Sequence, residues 1–280
     1  MVRYSPLQKT VLFVMIVFGA IVTMFPLWWL MVSSFTPEQY IFSQSGLWPT
    51  EFTLQNYVIG WKGASTISFA TYYKNTFIIV GLRIVGTIIT CSMTAYAFAR
   101  LNFAGKGILF SIMLLLMMLP FHVTLIPRFI MFYKLGWVNS FKPLTIPAFF
   151  ATQGFFIFLM VQFIRSLPRE LDQAAIVDGC SPVDVYWRII MPLLTPALVT
   201  TAIFTFIWTW NDFFSALIYI NSPRLYTVAL GLRSFLDSTS GSAFGAMFAM
   251  SLLSLMPILI FFVLAQNLLI EGISTTGMKG

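Results

Sequence analysis

The stretch Leu167–Pro196, LPRELDQAAIVDGCSPVDVYWRIIMPLLTP, is a long polar interruption in the apolar second half of this chain. It contains four of the nine acidic residues, Glu170, Asp172, Asp178 and Asp184. Charged side chains are costly in lipid. The segment must therefore face water between two apolar stretches.

Two short helices around a tight turn are predicted within this segment. Pro168 suits the first position of a helix, where its missing N–H costs nothing, and Gly179 can adopt the left-handed conformation that ends one. The first helix should therefore begin at Pro168 and end at a turn over Asp178-Gly179. A narrow stripe of small apolar residues runs along it: Leu171, Ala174 and Ala175.

The second short helix has a capping signature at its start. Ser181, Pro182 and Asp184 match the N-cap, the first helical residue and the third in a variant of the capping box. The helix should end before Pro192, because the residue that precedes a proline is pushed out of the helical region.

The order and spacing of these residues resemble a known family motif. Gln173-Ala174-Ala175, two residues, Asp178-Gly179, nine residues and Ile189-x-Met191-Pro192 resemble the EAA loop of permease subunits of binding-protein-dependent ABC importers. Two positions depart from the usual form. Gln173 stands where the family usually has Glu, and Met191 stands where it usually has Leu.

The resemblance implies that this loop is a coupling helix that sits in a cleft of a separate cytoplasmic ATPase. The alternative is a loop that only connects two membrane spans. ATP and Mg²⁺ would bind to the partner ATPase, and this chain would hold no cofactor. The resemblance implies these ATPase-coupling residues: Glu170, Leu171, Gln173, Ala174, Ala175, Asp178, Gly179, Tyr186, Ile189 and Pro192.

The composition excludes an ordinary soluble domain. Hydrophobic residues make up 59% of the chain and charged residues 9%, against about 25% charged in soluble domains. Apolar segments near the spanning length of about 20 residues, without barrel-like alternation, predict an all-α membrane protein. We predict one transmembrane permease domain over residues 1–280, with a coupling loop at 166–196 between the fourth and fifth of six spans. The spans are at about 11–33, 76–98, 108–127, 144–164, 197–220 and 244–269.

The basic balance of the chain, a formal net charge of +7, does not indicate nucleic acid, because the basic residues are scattered singly. Basic residues are nearly as frequent on predicted outer segments as on inner ones, so the positive-inside rule gives only weak support for the topology. Arg3 and Lys9 before the first span predict a cytoplasmic N-terminus. The resemblance implies that the coupling loop and the C-terminus are cytoplasmic too. The expected location is the inner cell membrane, in contact with lipid.

Two further stretches resemble carbohydrate-type permeases. The string AYAFARLNFAGK at 95–106 is similar to one in maltose-type permeases, and the tail EGISTTGMKG at 271–280 is similar to the end of sugar-type permeases. The resemblance implies a permease for a sugar or related solute. Its partners would be a second permease subunit, two copies of a cytosolic ATPase and an extracytoplasmic solute-binding protein.

Ionisable residues inside predicted spans are candidates for the transport pathway. Arg83 either lines the pathway or extends its side chain to the outer surface. Asp212 follows Trp210 and Asn211 in a W-N-D segment similar to one in carbohydrate-type permeases, and it either contacts substrate or ties helices together. His122 is predicted to be a packed or interfacial residue rather than a proton relay.

Two other classes of protein, an ion-coupled secondary transporter and an intramembrane enzyme, are the alternatives. An ion-coupled secondary transporter would need a relay of ionisable residues in its spans, and Arg83, Asp212 and His122 are spread over three predicted helices. An intramembrane enzyme would need a nucleophile with a base, or a metal site. One histidine and two separated cysteines, Cys91 and Cys180, suggest neither, so no catalytic residue and no metal ligand is predicted.

Overall fold

The structure is a computed structural model, and throughout the described residues the chain forms helices and connecting turns without strands. The described ranges are 5–43, 46–49, 51–63, 67–236 and 243–277. The predictions for the N-terminal residues before Ser5 and for the last three residues of the tail lie outside these ranges.

The helices are numbered in chain order. They are α1 (Pro6–Ser34), α2 (Gln55–Lys62), α3 (Phe69–Arg100), α4 (Lys106–Met117), α5 (Phe121–Lys134), α6 (Lys142–Thr145), α7 (Gly154–Ser166), α8 (Glu170–Val177), α9 (Pro182–Leu193), α10 (Thr195–Trp210), α11 (Phe213–Tyr219), α12 (Val228–Arg233) and α13 (Phe244–Gly277).

Within the described ranges, four helical segments are long and apolar enough to cross a membrane: α1, α3, Lys142–Ser166 and the Phe244–Leu264 part of α13. Two broken pairs also pass this test together. These are α4 with α5, bent by 101°, and α9 with α10, bent by 72°. If each bent pair is one span, the number rises to six. The predicted all-α membrane fold is therefore confirmed.

The predicted third span, 108–127, is not one straight helix. Helix α4 ends at Met117, and α5 begins at Phe121 after Pro120, which has an extended ψ of 135°. Proline has no N–H to continue the helix and restricts the residue before it, so the chain bends here.

The predicted fourth and fifth spans are interrupted too. Between α6 and α7 the chain forms a 3₁₀ helix, Ile146–Phe150, and Ala151 then adopts a left-handed φ of 51°. Within the predicted fifth span, 197–220, α10 ends at Trp210, and Asp212 then caps α11. Such breaks within a span expose backbone polar groups that need side chains or water as partners.

The chain packs as two compact units. The first consists of residues 1–70 and 231–256. Within it, Asn56 of α2 donates to two backbone carbonyls at the end of α1, at 2.9 and 2.8 Å. The carboxylate of Glu38 accepts both of the first two N–H groups of α13, at 2.8 and 2.6 Å, which caps this long helix.

The second unit consists of residues 71–230 and 257–280. One of its core clusters joins α3, α7, α9 and α10, with fully buried side chains such as Met160, Ile164 and Ile190. This cluster packs the polar segment α8–α9 against the ends of α7 and α10, the helices that flank it in the chain.

Candidate functional site

Helix α8 begins at Glu170, two residues later than predicted. The Leu167 carbonyl accepts a hydrogen bond from Arg100 Nη2 at 2.9 Å. The first hydrogen bonds of α8 are accepted by the Arg169 carbonyl instead, so the helix begins after Arg169. Glu170 and Asp172 still lie in the first turn of α8, where the helix dipole favours negative charge.

The turn after α8 confirms the predicted role of Gly179. Its φ is +83°, in the left-handed region that favours glycine. The Cys180 N–H donates to the Ala175 carbonyl at 2.9 Å, and the Gly179 N–H donates to Ile176 at 3.0 Å. These two bonds form a Schellman motif, which fixes the direction in which the chain leaves α8.

Helix α9 begins as predicted but does not end as predicted. The Ser181 hydroxyl accepts the Asp184 N–H at 3.2 Å, and the Asp184 carboxylate accepts the Ser181 N–H at 3.2 Å. The Ser181 hydroxyl and the Ser181 N–H both donate to the Asp184 carboxylate, and these two bonds hold the pKa of Asp184 below its usual range. The helix then continues through Pro192 to Leu193, whereas the prediction ended it before Pro192. A π-helical turn over Tyr186–Ile190 widens the helix just before the proline. A proline ring does not fit inside a regular α-helix, and the wider turn accommodates it.

Long-range polar contacts anchor α8 to α3. Arg100 Nε lies 2.7 Å from Asp172 Oδ2, and Arg100 Nη2 donates to the Leu167 carbonyl at 2.9 Å. The two side chains are only 6% and 14% exposed, so this ion pair is shielded from solvent. Removal of either partner would leave the other charge buried and unpaired. No local pattern in the sequence predicts this anchor, because Arg100 and Asp172 are far apart in the chain.

Two tyrosines anchor α9 to the same helix. The Tyr186 hydroxyl and the Ser92 hydroxyl are 2.8 Å apart, and the Tyr96 hydroxyl donates to the Pro182 carbonyl at 3.0 Å. The Tyr186 and Tyr96 rings also pack against each other, with centroids 5.4 Å apart. Helix α3 therefore holds both short helices, and the α8–α9 segment is a braced element rather than a loose connection.

The predicted coupling residues divide into an exposed set and an inward set. Ala175 is 5% exposed and Tyr186 is 4% exposed, and both pack in the core, while Ile189 packs at its edge. The predicted stripe is therefore divided: Leu171 and Ala174 are exposed, whereas Ala175 lies on the side of α8 that rests on the bundle. The exposed set is Glu170, Leu171, Gln173, Ala174, Asp178, Gly179 and Pro192.

Apolar side chains extend this exposed surface. Val177 is 86% exposed, and Ile176, Val183 and Trp187 are each more than half exposed. Exposed apolar clusters rimmed by polar residues mark interaction sites. We call the exposed side of α8 and α9 the docking surface.

A cavity of about 720 Å³ lies in the same unit. Arg83 of α3 and Asp212 line it together, and Arg83 Nη1 lies 3.4 Å from Asp212 Oδ2. Arg83 and Asp212 were predicted as separate pathway candidates in different spans. The structure pairs them, with side chains 20% and 24% exposed, so part of each charge is compensated within the chain.

Asp212 also caps a helix. Its Oδ1 accepts the Ser215 N–H at 3.0 Å, so it is the N-cap of α11 at a break in the chain rather than a residue inside a continuous helix. The neighbouring Asn211 is exposed, and its Nδ2 donates to the Ile207 carbonyl at 2.8 Å at the end of α10. The pattern Asp-x-x-Ser was the signal for this cap.

Trp210 does not line the cavity. Its ring stacks on Phe206, with centroids 5.4 Å apart, and packs edge-on against Phe77 at 5.0 Å. It is 3% exposed, which makes it a packing residue between α3 and α10. Of the four pathway candidates, the cavity therefore brings together Arg83 and Asp212 only.

Aromatic rings form much of the cavity wall. The ring of His122 lies edge-on against Phe214 at 5.7 Å, while the His122 side chain is exposed. The guanidinium of Arg128 lies 5.8 Å from the Phe121 ring centre. Other aromatic lining residues are Phe132, Trp137, Phe150, Trp208 and Tyr219. Rings with a few polar groups suit the apolar faces and hydroxyl groups of a sugar.

The described ranges contain no group of three or more His, Cys, Asp or Glu side chains placed to hold a metal ion. Cys91 and Cys180 are both free thiols. The functional geometry of this chain thus consists of the docking surface, its anchors on α3, and the cavity.

Comparison with known proteins gives a consistent result. Residues 86–274 match the model of the family described as binding-protein-dependent transport system inner membrane component. The chain is 33% identical to a trehalose/maltose transport system permease of Thermococcus litoralis, over 99% of both chains. It is 30% identical to an arabinooligosaccharides transport system permease of Halalkalibacterium halodurans, again over 99% of both.

A solved structure shares the fold. It is a bacterial ABC transporter involved in the import of the acidic polysaccharide alginate, with a TM-score of 0.84 and 21% identity. The match covers 95% of this chain and 99% of that one. A second alginate transporter structure, in complex with a periplasmic protein bound to an alginate pentasaccharide, has a TM-score of 0.68.

Proposed function

The chain belongs to the family of binding-protein-dependent transport system inner membrane components, and from that membership we propose that it imports a sugar or short oligosaccharide. It is a multi-pass permease subunit of an ABC importer and not itself an enzyme. The observation that carries the substrate class is the full-length similarity to permeases named for trehalose/maltose and for arabinooligosaccharides. The aromatic cavity beside Arg83 and Asp212 supports it.

The partners follow from the fact that such an importer uses separate subunits for membrane passage, ATP hydrolysis and solute binding. We infer a second permease subunit, a dimer of a cytoplasmic ATPase that binds ATP and Mg²⁺, and an extracytoplasmic solute-binding protein. The docking surface would rest in a cleft of the ATPase, which places α8, α9 and both chain ends on the cytoplasmic side of the inner cell membrane. The exposed apolar residues of α8 and α9 support a helix-in-groove contact.

Helix α3 connects the docking surface to the cavity. It carries the anchors Ser92, Tyr96 and Arg100 near one end, and it carries Arg83 at the cavity. Seventeen residues of helix separate Arg83 from Arg100, which is about 25 Å at 1.5 Å per residue. A displacement of α8 and α9 by the ATPase would therefore move α3 as a rigid lever and change the cavity wall.

An ion-coupled secondary transporter receives no support. Such a protein needs ionisable groups free to exchange a proton or cation. Arg83 and Asp212 instead compensate each other, and Asp212 also serves as a helix cap.

Uptake by the reconstituted importer tests the proposal. The chain would be purified with its partner subunits and placed in proteoliposomes, with labelled maltose and arabinan oligosaccharides as the first probes. We expect uptake that requires ATP and Mg²⁺ on the ATPase side and persists when ionophores abolish ion gradients. Uptake driven by an ion gradient without ATP would contradict the proposal.

Asp212→Asn should lower transport at least about tenfold while the complex remains assembled. Asparagine is an equally good N-cap, so α11 keeps its start, whereas Arg83 loses its counter-charge at the cavity. The measurement is the initial rate of ATP-driven uptake, with co-purification of the partner subunits as the assembly check.

The double variant Arg83→Gln with Asp212→Asn separates the two roles of the pair. If the charges serve transport, the double variant stays slow. If it instead restores wild-type uptake, the pair is a structural tie between helices, and neither residue belongs to the pathway.

A further inference from the structure

Three cations converge where α3 ends, α4 begins and α7 ends. Lys106 opens α4, Arg165 lies in the last turn of α7, and Arg169 immediately precedes α8. The guanidinium of Arg165 lies 5.4 Å from the centre of the Phe110 ring, one helical turn along α4 from Lys106. The Lys106 ammonium donates to the Leu101 carbonyl, and the adjacent Arg100 donates to the Leu167 carbonyl, two residues before Arg169. We call Lys106, Arg165 and Arg169 the basic cluster.

The basic cluster has no counter-charge within the described part of the chain. None of its members forms an ion pair there, and the neighbouring acid Asp172 is engaged by Arg100. Lys106 donates one hydrogen bond, to the Leu101 carbonyl at 2.6 Å, which leaves two of its N–H groups for another acceptor. Like charges held together repel one another. The cluster is thus suited to an anion from outside the chain.

An apolar surface adjoins the basic cluster. Helix α4 exposes Ile108, Leu109, Ile112, Leu115 and Leu116, and each of them is at least 45% exposed. Cations at the end of a membrane helix beside a strip of exposed aliphatic side chains match the two parts of a phospholipid: an anionic head group at the interface and acyl chains along the helix. The charge therefore selects an anionic lipid rather than a zwitterionic one.

We propose that Lys106, Arg165 and Arg169 bind the phosphate of an anionic phospholipid whose acyl chains lie along α4. The site adjoins the Arg100–Asp172 anchor of α8, because Arg169 lies between the Leu167 carbonyl that Arg100 binds and the helix that carries Asp172. A bound lipid would neutralise the basic cluster and stabilise the adjoining start of α8. This site is independent of the transported substrate.

Lipid retention by the purified importer tests the proposal. The wild-type complex and the triple variant Lys106→Gln, Arg165→Gln, Arg169→Gln would be incubated in nanodiscs of phosphatidylcholine and phosphatidylglycerol with identical acyl chains, extracted, and analysed by mass spectrometry. Each cation near an anionic head group is worth about fivefold in affinity. We expect retained phosphatidylglycerol to fall at least about tenfold in the triple variant, with phosphatidylcholine unchanged.

A matched control removes three exposed cations elsewhere, Lys62→Gln, Lys74→Gln and Lys142→Gln, and should retain phosphatidylglycerol like the wild type. Arg169→Gln alone, at an exposed position, should lose about fivefold and covers the case in which the triple variant does not fold.

Three outcomes would overturn the proposal. They are equal retention by the triple variant and the wild type, displacement of the lipid by soluble inorganic phosphate, and loss of the ATPase from the triple variant with lipid retained. The last would make the cluster a protein contact.

Discussion

Arg100→Met should abolish most ATP-driven uptake, to below about a tenth of the wild-type rate. Removal of one partner of a buried ion pair costs about 3–5 kcal/mol, because the other charge is left buried and unpaired. Asp172 would then move toward water, and the Leu167 carbonyl would lose its donor. Helix α8 would separate from α3, so that movement of the ATPase no longer reaches the cavity.

The measurement is uptake and substrate-stimulated ATP hydrolysis in the reconstituted complex, with the membrane level of the chain as a check on insertion. Lys74→Met is the matched control, since it removes an exposed cation from the same helix α3 and should behave like the wild type. The double variant Arg100→Met with Asp172→Leu should recover much of the activity, because it leaves no unpaired charge. Wild-type uptake by the single variant would show that this anchor carries no coupling.

Gly179→Val should cause the second large loss of uptake. A residue with a side chain pays about 1–2 kcal/mol in the left-handed region, and β-branched residues are the least tolerant. Nothing lies within 4 Å of a Cβ placed at Gly179, so the effect would come from the backbone conformation and not from a clash. The Schellman bonds would break, and α9 would leave the turn in another direction.

Gly179→Asn is the control for this prediction, since asparagine adopts the left-handed conformation readily. We expect the asparagine variant to transport near the wild-type rate and the valine variant to fall about tenfold, both at normal membrane level. Equal rates in the two variants would mean that the turn geometry does not matter for coupling.

Local chemistry in the sequence predicted much of the docking segment. The Gly179 turn and the Ser181 cap depend on residues within one or two turns of each other. The local sequence alone therefore determines both of them. The late start of α8 has a long-range cause, because the Leu167 carbonyl is bound by Arg100 of α3 and the first helical bonds go to the Arg169 carbonyl.

The anchors and the cavity could not be predicted in this way. Arg83 and Asp212 are 129 residues apart, and their pairing depends on how α3 packs beside the break between α10 and α11. The same holds for Arg100 with Asp172, and for Ala175, whose inward orientation is set by the bundle beneath α8. Pro192 inside α9 is a further case, because the π-helical turn that accommodates it has no simple sequence signature.

The claim that the exposed side of α8 contacts an ATPase can be tested by cross-linking at neighbouring positions. In a chain with Cys91→Ala and Cys180→Ser, a single cysteine would replace either exposed Ala174 or buried Ala175, and the assembled importer would be treated with a short thiol-reactive cross-linker. We predict an adduct with the ATPase subunit from position 174, little or none from position 175, and loss of the adduct when the ATPase is removed. No adduct with the ATPase from position 174 in a complex that transports normally would contradict the account.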